Sequence, residues 1–228
     1  NPDPSIAINK SSWKDNPFLD KTYIEELHKL QGNYRKIFLD GEFGLKEGLI
    51  FPNFKIYDKV FDTIKSKIIG IDFGFINPSA VVCVMSLESG KFIADEMLYE
   101  SGLTNTSLIN KLKELIPENE RDIEIFADSA EPDRIAQLCN AGFNACKAKK
   151  NINDGLDYMQ ENFLGVTARS VSLIKELRMY SWSSDHRTNE LLQKPQSKYS
   201  HAIDAVRYAS YSPVRRYAKL TELDFNLR

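Results

Sequence analysis

Two aspartates stand at the ends of apolar runs: Asp72 in IIGIDFGFINPSA and Asp128 in IEIFADSAEP. Aspartate is a poor strand residue, and burying its charge is costly unless the group is paired or bound to a metal. Either residue alone could be a turn former or a helix cap, but the repetition at two strand ends points to chemistry. Gly74, just after Asp72, permits the tight turn a strand needs to aim a carboxylate outward. A third acid, Asp204, lies in SKYSHAIDAVRYASY, where Ala202, Ala205, Val206 and Ala209 form a small apolar helix face with Ile203 beside it. His201 and Asp204 are three residues apart and project from the same side of that helix. A histidine at a helix end is ordinarily a terminal residue. Paired with an acid on a helix slim enough to lie close to a sheet, it becomes a candidate for function.

Three aspartates from two strands and one helix make a hard-oxygen cluster suited to Mg²⁺ or Mn²⁺. With two ions bound, one activates water and the other stabilises the leaving oxygen of a phosphodiester. His201 is open to three roles: a ligand, a proton carrier near working pH, or a stabiliser of its helix. A structural zinc site does not fit, because Cys83, Cys139 and Cys146 are scattered and form no C-x-x-C clip. They read instead as reduced and buried thiols of a cytosolic protein.

The elements that must position these acids follow from periodicity. Asp20 can cap a helix reaching about Gln31, with Tyr23, Ile24, Leu27 and Leu30 on one face. A short helix is expected over Tyr34–Leu39, then irregular chain over Gly41–Phe54. Ile68–Ile71, Ala80–Leu87 and Lys91–Tyr99 read as three strands of a meander, with a turn at Ser89-Gly90. Thr106–Ile116 is an amphipathic helix, Ile123–Ala127 a strand, and Pro132 opens a helix that runs to Asn140. A strand over Phe143–Ala148, a helix over Asp154–Asn162, a short strand over Phe163–Val166 and a helix near Val171–Arg178 follow. Tyr180–Ser184 and Glu190–Gln193 suggest a polar hairpin, and the last helix runs from about His201 to Tyr211. The order predicts an α/β fold: one mixed sheet of five or slightly more strands, flanked by helices, with an added hairpin before the last helix.

The 228 residues are 42% hydrophobic and 27% charged, which excludes disordered and low-complexity classes. No apolar run approaches the roughly 20 residues that span a bilayer. The net charge of -2 hides an asymmetry: residues 66–142 carry 6 basic and 13 acidic groups, net -7, whereas residues 143–228 carry 14 and 9, net +5. That division suits carboxylates that hold cations beside bases that meet a polyanion. Lys147, Lys149 and Lys150, with Arg187, Lys194 and Lys198, are the candidate contacts to a phosphate backbone, where they would give affinity without sequence readout. The chain opens on Asn1-Pro2-Asp3-Pro4 with neither Met nor signal sequence, as a piece of a longer polypeptide would.

GIDFGFINPSA, FADSAEP and HAIDAVRYA resemble the three acidic motifs of the nuclease domain of tailed-bacteriophage terminase large subunits, which has a ribonuclease H-like fold. SSWKDNPFLDKTYIEEL, YRKIFLDGEFG and EGLIFPNF are similar to the stretch that links the motor of those proteins to the nuclease. The resemblance thus runs in order through most of the chain. It implies that Asp72, Asp128 and Asp204 bind two divalent cations, Mg²⁺ or Mn²⁺, and that His201 matches a histidine found in some members. It further implies an endodeoxyribonuclease that cuts concatemeric double-stranded DNA at the start and the headful end of packaging. The terminase small subunit and the portal protein would be partners of the full-length protein, in the cytoplasm of an infected or lysogenic bacterium. Residues 1–65 would be the approach from a motor, 66–212 the nuclease domain and 213–228 a C-terminal tail. No G-x-x-x-x-G-K-[ST] string occurs, so this stretch is expected to cut DNA without hydrolysing ATP. Other expectations are a different ribonuclease H-like nuclease, such as a Holliday-junction resolvase, or a non-catalytic module that docks DNA or the portal. Asp-Phe-Gly-Phe-Ile-Asn-Pro also resembles the first phosphate loop of actin-like ATPases and sugar kinases, but their second domain and Gly-rich adenosine motif are not visible.

Overall fold

β3 (Ser79–Leu87) is buried along its first seven residues, because helices cover both faces of the sheet in which it is central. In this computed structural model, residues 13–16, 18–29, 48–59, 64–185, 191–198 and 200–225 are described. The chain divides into two units, Asn1–Gly48 and Leu49–Arg228. In the first, α1 (Lys21–Lys29) follows a short turn of 3-10 helix at Trp13–Asp15, and the Trp13 and His28 rings meet edge to face at 5.4 Å. The helix expected over Tyr34–Leu39 lies outside the described residues.

The second unit holds a seven-stranded mixed sheet. β2 (Ile64–Asp72), β3 and β4 (Phe92–Glu100) form the expected antiparallel meander. β5 (Ile125–Ala127) lies parallel to β2, and β6 (Ala145–Lys147) lies parallel to β5. On the other side, β7 (Phe163–Thr167) runs parallel to β4, and β1 (Lys55–Tyr57) runs parallel to β7. The spatial order is β1-β7-β4-β3-β2-β5-β6. β1 is an element that the sequence reading does not include; that reading gives residues 1–65 to the approach segment, with irregular chain over Gly41–Phe54. Its three residues carry no alternation of their own and become a strand only through their ladder with β7.

Alternation along the strands sends side chains to two cores. Ile69, Ile71, Val81, Cys83 and Met85 face α2 (Asn105–Leu115) and α3 (Pro132–Asn140), meeting Leu108, Leu112, Ile135 and Leu138. Ala80, Val82, Val84, Phe92 and Ala94 face three other helices, α4 (Ile152–Asn162), α5 (Val171–Met179) and α6 (His201–Phe225). Between α5 and α6 stands the antiparallel hairpin of β8 (Trp182–Ser184) and β9 (Leu191–Pro195). α6 runs past the expected end at Tyr211 and carries Pro213 inside it, so residues 213–225 are helical rather than a separate tail. A single proline removes one backbone donor, and the buried face from Ala202 to Ser212 has already fixed the axis. No helix among the described residues is long and apolar enough to cross a membrane.

Candidate metal centre

Ile68, Gly70 and Asp72 alternate onto the face of β2 that α6 covers. A Cβ at Gly70 would lie 1.8 Å from the Ala205 carbonyl oxygen, so only glycine admits the helix this close. Ala202, Ala205 and Ala209 are fully or almost fully buried in that contact, as the small-residue face in the sequence predicts. One turn before Ala205 stands His201, and its Nδ1 lies 2.9 Å from Oδ2 of Asp72. Phe126 of β5 reaches the same side, against Tyr208, and Asp128 follows two residues later. The amide of Asp128 bonds to the Ile71 carbonyl at 3.1 Å, tying the second acid to the end of the first strand.

Each of the three acids is held by a basic side chain of the protein itself. Asp72, 9% exposed, has His201. Asp204 accepts on Oδ1 from Nη2 and Nε of Arg207 at 2.6 and 3.1 Å. Arg207 is buried, with its Nη1 on the Lys149 carbonyl at 3.3 Å and its guanidinium 4.6 Å from the Tyr208 ring centre. Asp128 accepts on Oδ1 from the Ala130 amide at 2.9 Å and from Nζ of Lys150 at 2.8 Å. Burial pushes the Asp72 carboxyl above its ordinary range; the His201 bond opposes this, while the charges of Asp204 and Asp128 add to it. The hydrogen bond to Asp72 raises His201, against burial and with help from Glu176 and Asp204.

As they stand, the donors are not a closed cage: among the described residues no three His, Cys, Asp or Glu side chains converge tightly enough to hold one ion between them. Their chemistry nonetheless fits a hard divalent cation. These bonds engage Oδ2 of Asp72 and Oδ1 of Asp128 and Asp204, and the charges that Asp72 feels from Asp128 and Asp204 are the repulsion a cation would relieve.

Of the basic residues singled out from sequence, Lys147, Lys149 and Lys150 leave the sheet beside Asp128 and are exposed. Lys150 is engaged with Asp128 rather than standing apart as a surface charge. Lys194 lies on β9, Lys198 follows it, and both are exposed; Arg187 lies outside the described residues. Sequence reasoning missed Arg207, although its spacing of three from Asp204 was a usable signal. It also missed Glu176 of α5, 2% exposed, whose carboxylate lies at the N-terminus of α6. Burial raises Glu176, and the bonds it accepts from Tyr99, Ile203 and Ala202 oppose the rise. In the turn after Asp72, Phe75 and Ile76 are exposed.

No protein-family model matches the chain. Among curated proteins, the PBSX phage terminase large subunit of Bacillus subtilis strain 168 is 27% identical over 216 residues, 87% of this chain and 49% of that protein. The chain spans about half the length of the curated relatives it matches. Among solved structures, the nuclease domain of the large terminase g2p of bacteriophage SPP1, crystallised with bound Mn, superposes with a TM-score of 0.59 at 24% identity. That match covers 70% of this chain and 96% of the SPP1 domain. The P22 large terminase nuclease domain gives 0.57 at 17% identity, over 75% of this chain and 94% of that domain. These matches bear out the fold class read from the sequence, with seven strands in the main sheet and the added hairpin in its expected place. By sequence the chain is similar to phage terminase large subunits, and it shares the fold of the large terminase nuclease domains of SPP1 and P22.

Proposed function

We propose that the chain is a metal-dependent endonuclease of phage DNA packaging, which cuts concatemeric double-stranded DNA by hydrolysing phosphodiester bonds. The observation that carries this reading is the His201–Asp72 contact at one sheet end, with Asp128 tied alongside and Asp204 near enough for its charge to act on Asp72, on the fold of terminase nuclease domains. Asp72, Asp128 and Asp204 would hold two divalent ions, Mg²⁺ or Mn²⁺. Such ions, when bound, supply charge stabilisation and an activated water for in-line displacement. The chain's own residues do the rest. His201 donates from Nδ1 to Asp72 and orients that carboxylate. Arg207 fixes Asp204 from a buried position, and Lys150 balances the charge of Asp128.

Lys147, Lys149, Lys150, Lys194 and Lys198, with Arg187, would meet phosphates along the edge of the site, so binding would depend on salt and barely on sequence. Residues 1–48 would form part of the approach from a motor, and the sheet unit would be the nuclease proper. Terminase small subunit and portal protein would be partners of the whole protein, in the cytoplasm of the bacterial host, and this stretch would not hydrolyse ATP. Plasmid nicking with Mn²⁺, Mg²⁺ or EDTA tests the reading. Cleavage only with a divalent ion supports it; equal cleavage in EDTA overturns it.

A further inference from the structure

The first turn of a helix leaves four amides without partners inside the helix, and a nearby Ser, Thr, Asp or Asn usually satisfies one or two. In α6 a residue 25 positions away does most of this. Oε2 of Glu176 accepts from the amides of Ala202 and Ile203 at 2.8 and 3.1 Å, and Oε1 accepts from the amide of His201 at 3.1 Å. The fourth amide, that of Asp204, bonds to the Ser200 carbonyl at 2.6 Å. Oε1 also accepts from the hydroxyl of Tyr99 on β4 at 2.8 Å. One buried carboxylate therefore ties α5, β4 and the first turn of α6 together. A negative charge at a helix N-terminus is also well placed against the helix dipole.

We infer that Glu176 is a positioning residue of the candidate metal centre: it fixes the first turn of α6 and thereby sets His201 and Asp204 against Asp72. The inference rests on the nuclease reading for its consequence, but the clamp itself does not. Glu176 bonds to the backbone amides of α6 and to the Tyr99 hydroxyl, and it positions the turn through the backbone it holds. It also closes the base of the excursion from α5 to α6 that contains the β8–β9 hairpin.

The test substitutes Glu176→Gln, which keeps the shape but turns an NH₂ group toward backbone N–H groups that need an acceptor. Leu112→Ala, fully buried on the opposite face of the sheet, serves as a destabilised control. Amide hydrogen exchange at His201, Ala202 and Ile203 is read first, on metal-free protein. At least about tenfold faster exchange there in Glu176→Gln, and not in Leu112→Ala, is expected; unchanged exchange would overturn the clamp. Mn²⁺ affinity and Mn²⁺-dependent nicking are read next, at a temperature where both variants are folded. A loss of about 10–100-fold in Glu176→Gln and little loss in Leu112→Ala is expected. Equal losses in both would reduce Glu176 to general stability and overturn the positioning role. If the parent neither binds Mn²⁺ nor nicks DNA, the nuclease reading fails while the exchange result still decides the clamp. Should Glu176→Gln not fold, Tyr99→Phe removes one of the four donors, and the same exchange comparison is made with it: several-fold faster exchange at His201 supports the clamp, and no change overturns it.

Discussion

Asp72 and Asp128 end neighbouring parallel strands, yet the protein holds them in different ways. Asp72 lies under a helix that glycine lets approach, its partner His201 is three-quarters buried, and the turn carrying that partner is clamped by Glu176. Asp128 lies at the rim, held by a backbone amide and by a lysine whose side chain is 51% exposed. An exposed ion pair is worth about 0–1 kcal/mol, so Lys150 can leave at little cost. The buried half of the site is thus built in advance, and the rim half is adjustable. Under the proposed function, a site that admitted both cations and a polyanion would need one wall of each kind.

The largest expected effect is at the buried wall. Asp72→Asn should reduce nicking to background and at the same time raise the melting temperature, because it removes a carboxylate that burial and two like charges disfavour. Nicking rates beside thermal melts check both parts; parental nicking would break the assignment of Asp72. Gly70→Ala should come next. It adds a Cβ where the Ala205 carbonyl already lies, so α6 must shift, at an expected cost of about 1–3 kcal/mol. A displacement of about 1 Å can cost roughly 10²-fold in rate. Full activity in a folded Gly70→Ala protein would show that the close approach does not position the site.

The acids were legible because each breaks an apolar pattern: Asp72 and Asp128 end apolar runs, and Asp204 sits on a helix of small residues. What held them was far less so. Glu176 lies in LIKELR, where a glutamate on a helix reads as an ordinary surface charge, and only the return of the chain 25 residues later gives it a buried role. The Lys150–Asp128 pair needs β6 to lie beside β5, a fact of topology rather than of spacing. β1 was invisible for the same reason, since its partner β7 is more than a hundred residues away. The last helix is expected to stop at about Tyr211, and it runs on through Pro213.

The pH response separates the buried pair from the rim. His201 is raised in the folded state by Asp72, Glu176 and Asp204, so its contribution to stability is complete below its ordinary value near 6.5 and is lost as pH rises through the higher folded value. Asp72 is also raised, so the cost of its buried charge is relieved as pH falls through its folded value. Both act in the same direction. Melting temperature should fall as pH rises from about 6.5 through the higher folded value of His201, and His201→Ala should flatten that slope. An unchanged slope in the variant would remove His201 as its source.

The smallest effect is expected at the rim. Lys150→Ala should change stability by less than about 1 kcal/mol and leave the metal-dependent chemistry in place. It should lower the slope of log DNA affinity against log salt by about 0.9 if Lys150 meets one phosphate of duplex DNA. A loss of nicking as large as that of Asp72→Asn would erase the distinction between the two walls.

The most direct measurement is anomalous diffraction at the Mn edge from crystals of this chain soaked in Mn²⁺. Density between Asp72, Asp128 and Asp204, with Lys150 moved off Asp128, is the predicted result. Protein that nicks DNA with Mn²⁺ yet shows no Mn at these three carboxylates would contradict it.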